Sequence, residues 1–300
     1  MRRIFLLLFM LSISSFLSTQ ILKGEKLYFK EINSPKTITD TTEFQKSYDA
    51  LDKFFSDKKL GSYIENKKTY FKLFAPSAIK VTLCLFNKPE EKTSNEYFLT
   101  KDENGVWETE FNGELYGKYY GYKVYHAGDD LSNSNMPVCV DPYAKAVTSY
   151  TTYMNPRLAI ITKEEKYDWE GTSWVQRDWR DLIIYEMHVR DMTAHKTSRA
   201  KNRGSYKGLT EKNITGGLSY IKTLGVNTVE LLPSQEFGNI EIPYKDSISG
   251  KYNTWNPYER NHWGYMTSNF FAPSAYYNES WNHLKWNRWI GKDGSQRKSF

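Results

Sequence analysis

The sequence predicts two architectures in series. An antiparallel, immunoglobulin-like β-sandwich is expected over residues 61–165. The first part of a parallel α/β fold, of which the (β/α)8 TIM barrel is the expected form, follows over 166–300. Three observations carry this. Apolar residues alternate with polar ones, at period two, in short runs between about Thr69 and Tyr125. Turn signals, Pro76 and Asn104-Gly105, separate those runs. Near Asp181 the pattern changes to an apolar run, a helical segment and a second apolar run.

The N-terminus comes before both. Met1-Arg2-Arg3 is a basic start, Ile4 to Leu17 is apolar apart from serines, and Ser18-Thr19-Gln20 offers a weak cleavage zone. That order is the pattern of a secretory signal, so residues 1–20 are expected to be removed and the protein exported. The run is too short to span a bilayer comfortably, so no membrane association is expected after removal. A polar and helical lead-in is expected over 21–60. Within it Phe44, Tyr48, Leu51 and Phe55 recur at helical spacing, and Thr42 with Gln45 forms a capping box, which predicts a helix over about 42–57.

The strands come next. Tyr70-Phe71-Lys72-Leu73-Phe74 is one, stopped at Pro76. Ile79, Val81, Leu83 and Leu85 alternate with Lys80, Thr82 and Cys84 in a second. Val106–Phe111 and Tyr119–Tyr125 are two more. Leu182–Met187 then reads as a buried parallel strand. Ile214, Leu218, Ile221 and Leu224 mark a helix ending at Gly225, and Val226–Leu232 is a second buried strand stopped by Pro233. A long loop, about 234–262, comes after it, and such loops at strand ends are where barrel enzymes place their sites.

Composition narrows the function. The chain has 300 residues, 25% charged and 39% hydrophobic, which fits a folded protein. Aromatics reach 16%, with 23 Tyr and 9 Trp, and flat rings suit both a large core and apolar sugar faces. The net charge of +6 is scattered. Its densest patch, Lys196, Arg199, Lys201 and Arg203, is short and lacks helical spacing, so no nucleic-acid partner is expected. Two cysteines, Cys84 and Cys139, make no disulfide framework, and pairing or two free thiols stay equally open.

Five segments, in order, carry a family resemblance. Lys67–Val81 resembles the β-sandwich that precedes the barrel in starch and glycogen debranching enzymes, and Val140–Ala146 resembles the segment closing that domain. Ile184-Tyr185-Glu186-Met187-His188-Val189-Arg190-Asp191 resembles the first barrel strand of pullulanases and isoamylases, and Leu224–Pro233 their second. Trp263-Gly264-Tyr265-Met266-Thr267 through Pro273 resembles the loop beyond it, with Met266 and Thr267 on the isoamylase side. The chain thus resembles the α-amylase superfamily of glycoside hydrolases, on its type I pullulanase and isoamylase branch.

The resemblance implies a retaining hydrolase of α-1,6-glucosidic branch linkages in pullulan, glycogen or dextrins, with an α-glucan as partner and no cofactor required. Such chemistry needs two carboxyl groups about 5–5.5 Å apart. The family's Gly-Phe-Arg-x-Asp nucleophile pattern, its acid Glu segment and its Asp-x-x-x-Asn-His segment are not found among these residues. Residues 166–300 are far fewer than the about 250 that such a barrel takes. The catalytic residues are therefore expected beyond Phe300, and the chain as it stands is expected to be inactive. Tyr265 matches the family's tyrosine that stacks on the sugar at the cleavage subsite. Trp263 and His262 flank it as further substrate-binding candidates. Glu236 and Asn239 match the place where some isoamylases hold calcium, although the carboxylate contributed by the first domain falls near Tyr150 here. Glu186, His188 and Arg190 are expected on one strand face as a polar network, since a lone His makes a poor metal site. A non-catalytic glucan-binding protein and a branching enzyme of the same superfamily are the alternatives.

Overall fold

The expected alternation is realised in two packed sheets. A computed structural model describes residues 51–151, 156–164, 167–238, 261–279 and 288–300. The chain divides into two compact units, one of residues 1–53 with 243–256, the other of 54–242 with 257–300. Both sheets of the sandwich lie in the second unit. Residues 1–20 and positions 42–50 of the expected helix lie outside the described residues; residues 51–52 are helical, and residues 53–57 are not, so the helix stops short of the expected end at 57.

The first sheet holds β1 (Gly61–Glu65), β2 (Lys68–Phe74), β5 (Thr100–Lys101) and β6 (Val106–Asn112), antiparallel in the order β1-β2-β6-β5. In β2 Thr69, Phe71 and Leu73 are buried and their neighbours half-buried, so the period-two reading holds. The β5–β6 turn is the one expected at Asn104-Gly105. Gly105 has φ +83°, and a Cβ there would lie 2.6 Å from Pro76 Cβ. Asp102 Oδ1 accepts hydrogen bonds from the Asn104 and Val106 amides, at 2.9 and 2.8 Å.

The second sheet holds β3 (Lys80–Phe86), β4 (Asn95–Phe98), β7 (Tyr119–Tyr125), β8 (Val147–Tyr150), β9 (Arg157–Ile160) and β14 (Trp289–Ile290), in the order β14-β8-β9-β7-β3-β4. Phe71 and Leu73 of the first sheet meet Val81, Leu83, Tyr120 and Tyr122 of the second in one core. Phe71 and Tyr120 pack edge-to-face at 5.0 Å. The polar half of β3 departs from expectation: Thr82 and Cys84 are buried as well, because Phe86, Ala146, Leu158 and Ile160 cover the sheet's outer face beside Cys84. Cys84 is buried, Cys139 is exposed, and both are free thiols.

A parallel pair comes next in the chain, β10 (Ile184–Met187) with β11 (Thr228–Leu231), in the register Ile184↔Thr228 to Met187↔Leu231. Between them run α1 (Asp191–Ala194), α2 (Tyr206–Thr210) and α3 (Gly217–Thr223). Helix α3 is shorter than the apolar spacing predicts; Ile221 is buried, whereas Leu218 and Leu224 are exposed. Gly225, at φ +80°, comes just after its end as expected. The pair is not the fully buried one expected. Ile183 and Ile184 are more than half exposed and Leu231 is exposed, because among the described residues this sheet has two strands.

The stretch after Pro233 also differs from a plain loop. Gln235–Phe237 forms β12 and pairs antiparallel with β13 (Thr267–Pro273), through two register shifts. A 3-10 turn lies at Ala275–Tyr277, its Ser274 hydroxyl accepting the Tyr276 amide. β14 then returns to the sandwich, where Trp289 pairs with Tyr150. Finally, α4 (Gln296–Ser299) sets the Gln296 amide against the carbonyl of Val147 at 2.8 Å.

Candidate substrate-facing turn and its buried support

Residues 261–266 form a turn that leads into β13, and all three substrate-binding candidates lie on it. Asn261 shapes it. This buried side chain donates Nδ2–H to the Tyr265 carbonyl at 2.6 Å, and its Oδ1 accepts the Gly264 amide at 3.2 Å. Gly264 has φ +77°, and a Cβ would lie 2.7 Å from the Pro233 carbonyl oxygen and 3.1 Å from the Tyr277 hydroxyl. Only glycine suits both the dihedral and the space. Met266 takes φ +68°, and the Gly238 amide donates to its carbonyl at 3.1 Å. The backbone is thereby held at several points while both rings keep an exposed face: Trp263, edge-on to His262 at 5.5 Å, is 55% exposed and Tyr265 54%.

His262 turns the other way. Its Nε2 lies 3.0 Å from Asp191 Oδ1 and 3.1 Å from Asp191 Oδ2. Beneath it sits His188, 4% exposed, with the two imidazole centroids 4.7 Å apart. His188 Nε2 shares a hydrogen bond with the Tyr277 hydroxyl at 2.9 Å, and Nδ1 faces Asp191 Oδ1 at 3.5 Å. Burial pushes the His188 imidazole below its ordinary value, and Asp191 opposes this. The shift favours the neutral ring. Tyr277, buried against Tyr206 and Phe237, has its hydroxyl pushed well upward by burial.

The expected face of Glu186, His188 and Arg190 does not form. β10 ends at Met187, Val189 and Arg190 turn, and Glu186 is exposed, so period two does not extend to these residues. His188 joins instead with Asp191 and, across the fold, His262. Sequence reasoning missed this grouping, because no local spacing links residues 188 and 262.

Glu236 is fully buried in β12 and makes a different structure from a calcium site. Its Oε1 accepts the Ser149 hydroxyl at 2.5 Å and its Oε2 the Ala275 amide at 3.0 Å. The half-buried Arg157 guanidinium, which donates to the Phe237 carbonyl at 3.0 Å, acts electrostatically on the same carboxylate. A calcium ion needs six to eight oxygen ligands. Here the carboxylate is already committed to an alcohol and an amide, with a cation close by, so the described donors do not fit calcium. Asn239 lies outside the described residues. Near Tyr150 the sandwich supplies Ser149, whose hydroxyl donates to Glu236.

Residues 59–144 match the family described as carbohydrate-binding module 48 (isoamylase N-terminal domain). Isoamylase 1, chloroplastic, of Arabidopsis thaliana is 31% identical over 251 residues, covering 75% of this chain and 30% of the relative. Pullulanase of Bacillus subtilis (strain 168) is 30% identical over 232 residues, covering 75% and 29%. Among solved structures, type I pullulanase from Bacillus subtilis complexed with maltose is similar with a TM-score of 0.58 at 26% identity, covering 84% of this chain and 32% of that one. Pullulanase from Anoxybacillus sp. LM18-11 complexed with maltotetraose gives 0.59 at 29% identity, covering 83% and 33%. The chain thus spans about 30% of the length of the curated relatives it matches. Residues 59–144 thus carry the carbohydrate-binding module 48 of isoamylases, and across about three quarters of its residues the chain is similar to isoamylases and pullulanases.

Proposed function

We propose that these residues serve the hydrolysis of α-1,6-glucosidic branch linkages in pullulan, glycogen or starch-derived dextrins, as the N-terminal portion of a whole debranching enzyme. The observation that carries this reading is the similarity to isoamylases and pullulanases, which runs through both the sandwich and the β10–β11 segment. In this reading β10, the helices and β11 open a (β/α)8 barrel. The exposed apolar residues Ile183, Ile184 and Leu231 support it, since further strands and helices would cover them.

The turn at 261–266 is the part that meets substrate. A planar ring held on a fixed backbone suits the apolar face of a glucose unit and the flattened oxocarbenium-like transition state. Tyr265 takes that role, with Trp263 beside it. The two catalytic carboxylates belong to segments outside these residues. One must stay ionised as nucleophile and the other protonated as acid, which requires unlike environments. The glucan ligand class is supported by the maltose and maltotetraose in the similar pullulanase structures. Residues 1–20 act as an export signal, and N-terminal sequencing of the mature protein, starting near residue 21, checks that.

The purified 300-residue chain should bind maltohexaose yet release no reducing sugar from pullulan. The whole enzyme should release linear chains from amylopectin. Reducing-sugar release by the 300-residue chain, or new branches formed by the whole enzyme, would overturn the reading.

A further inference from the structure

We propose that His188, Asp191 and His262 form a binding site for one divalent transition-metal ion of the zinc class, independent of the glucan reading. One donor atom from each residue falls within a sphere of mutual separations no greater than 4.8 Å. His262 Nε2 and His188 Nδ1 approach the same oxygen, Asp191 Oδ1, at 3.0 and 3.5 Å. A tetrahedral ion with bonds of about 2.0–2.2 Å separates its donors by about 3.3–3.6 Å, so small side-chain shifts reach that geometry.

The second observation is the orphan atom at the centre. His188 is buried, and its Nδ1 has no hydrogen-bond partner among the described residues, although it is aimed at the cluster. A buried polar atom without a partner is costly, and coordination would satisfy it. The opposite ring atom is already engaged by the Tyr277 hydroxyl at 2.9 Å, which orients the imidazole as outer partners of metal-bound histidines do. Two imidazoles and one carboxylate match the donor set of zinc and its neighbours rather than of calcium or magnesium, which want oxygen. Asp191 and His262 are half exposed, which gives an ion its entry and leaves a fourth position for water.

The consequence is structural. The three donors join the segment after β10 to the turn bearing Trp263 and Tyr265, so an ion there would pin that turn.

Isothermal titration of the chelator-treated 300-residue chain with zinc chloride tests this. One ion per chain is expected, with no competition from a large excess of magnesium. Asp191→Asn and His262→Gln, both at half-exposed positions, should each weaken binding at least tenfold. His126→Gln and His195→Gln should leave it unchanged. Near-ultraviolet circular dichroism identifies any variant that has failed to fold, and His262→Gln alone then decides. Absence of binding, or tenfold weakening from neither Asp191→Asn nor His262→Gln, would overturn the proposal. So would loss on replacing His126 or His195.

Discussion

The Ser149 hydroxyl donates to Glu236 Oε1 at 2.5 Å, and this bond joins the β-sandwich to the antiparallel β12–β13 pair inside a fully buried site. Around it, Trp289 pairs with Tyr150, and the Asn269 amide donates to the Asp141 carbonyl at 3.0 Å. The sandwich and the segment after it are therefore joined by polar contacts that each require the other half.

Ser149→Ala should cost about 1–3 kcal/mol, because it leaves a buried carboxylate oxygen short of a donor. Urea unfolding of the purified chain measures it. Calcium chloride should leave the melting midpoint of the parent protein unmoved, since the Glu236 oxygens are already engaged. A calcium-dependent rise would restore the metal reading of Glu236.

Asp141 governs a pH effect in the sandwich. Burial pushes its carboxyl from the ordinary 3.8 up to about 6, against the Tyr120 hydroxyl and the Tyr143 amide, which donate to it at 2.7 and 2.8 Å and favour the charged form. The folded protein holds this proton more tightly than the unfolded chain does. Its contribution to stability is thus fully present below about pH 4 and is lost as the pH rises through about 6. The loss amounts to roughly 3 kcal/mol. Asp141→Asn should remove that part of the slope. Denaturant midpoints of parent and variant, compared between pH 4 and pH 7, read the difference.

Gly264→Ala should destabilise the chain by at least about 1–2 kcal/mol, since φ is +77° and the new Cβ would meet the Pro233 carbonyl. Maltohexaose binding by titration calorimetry should fall with it, because the turn carrying Tyr265 must shift.

Tyr265→Ala should behave oppositely. Its ring is half exposed, so stability should change by no more than about 0.5 kcal/mol. Maltohexaose affinity of the chain, and turnover by the whole enzyme, should both drop. A collapse of the melting point would instead make Tyr265 a core residue.

Several parts of this molecule were legible in the chain itself. Alternating residues such as Phe71 and Leu73 determine a strand with one buried face, and Asn104-Gly105 determines a tight turn, because both rest on local sterics and period two. Order in the chain also marked β10, α3 and β11. The separation at Asp181 was less complete than the pattern implied: β14, from the far end, completes the sandwich sheet next to β8. A two-residue strand carries no periodicity to read.

The sequence by itself determined the sandwich strands, the parallel pair and the exposed turn of Trp263 and Tyr265, through short-range pattern and residue type. Only the tertiary structure decided the partners of its buried polar groups. Glu236 is matched with Ser149 and Ala275, and His188 with Tyr277, Asp191 and His262. The reason is physical. A buried polar atom takes whatever donor or acceptor the fold brings within about 3 Å, and that distance is set by packing across many residues rather than by spacing along the chain.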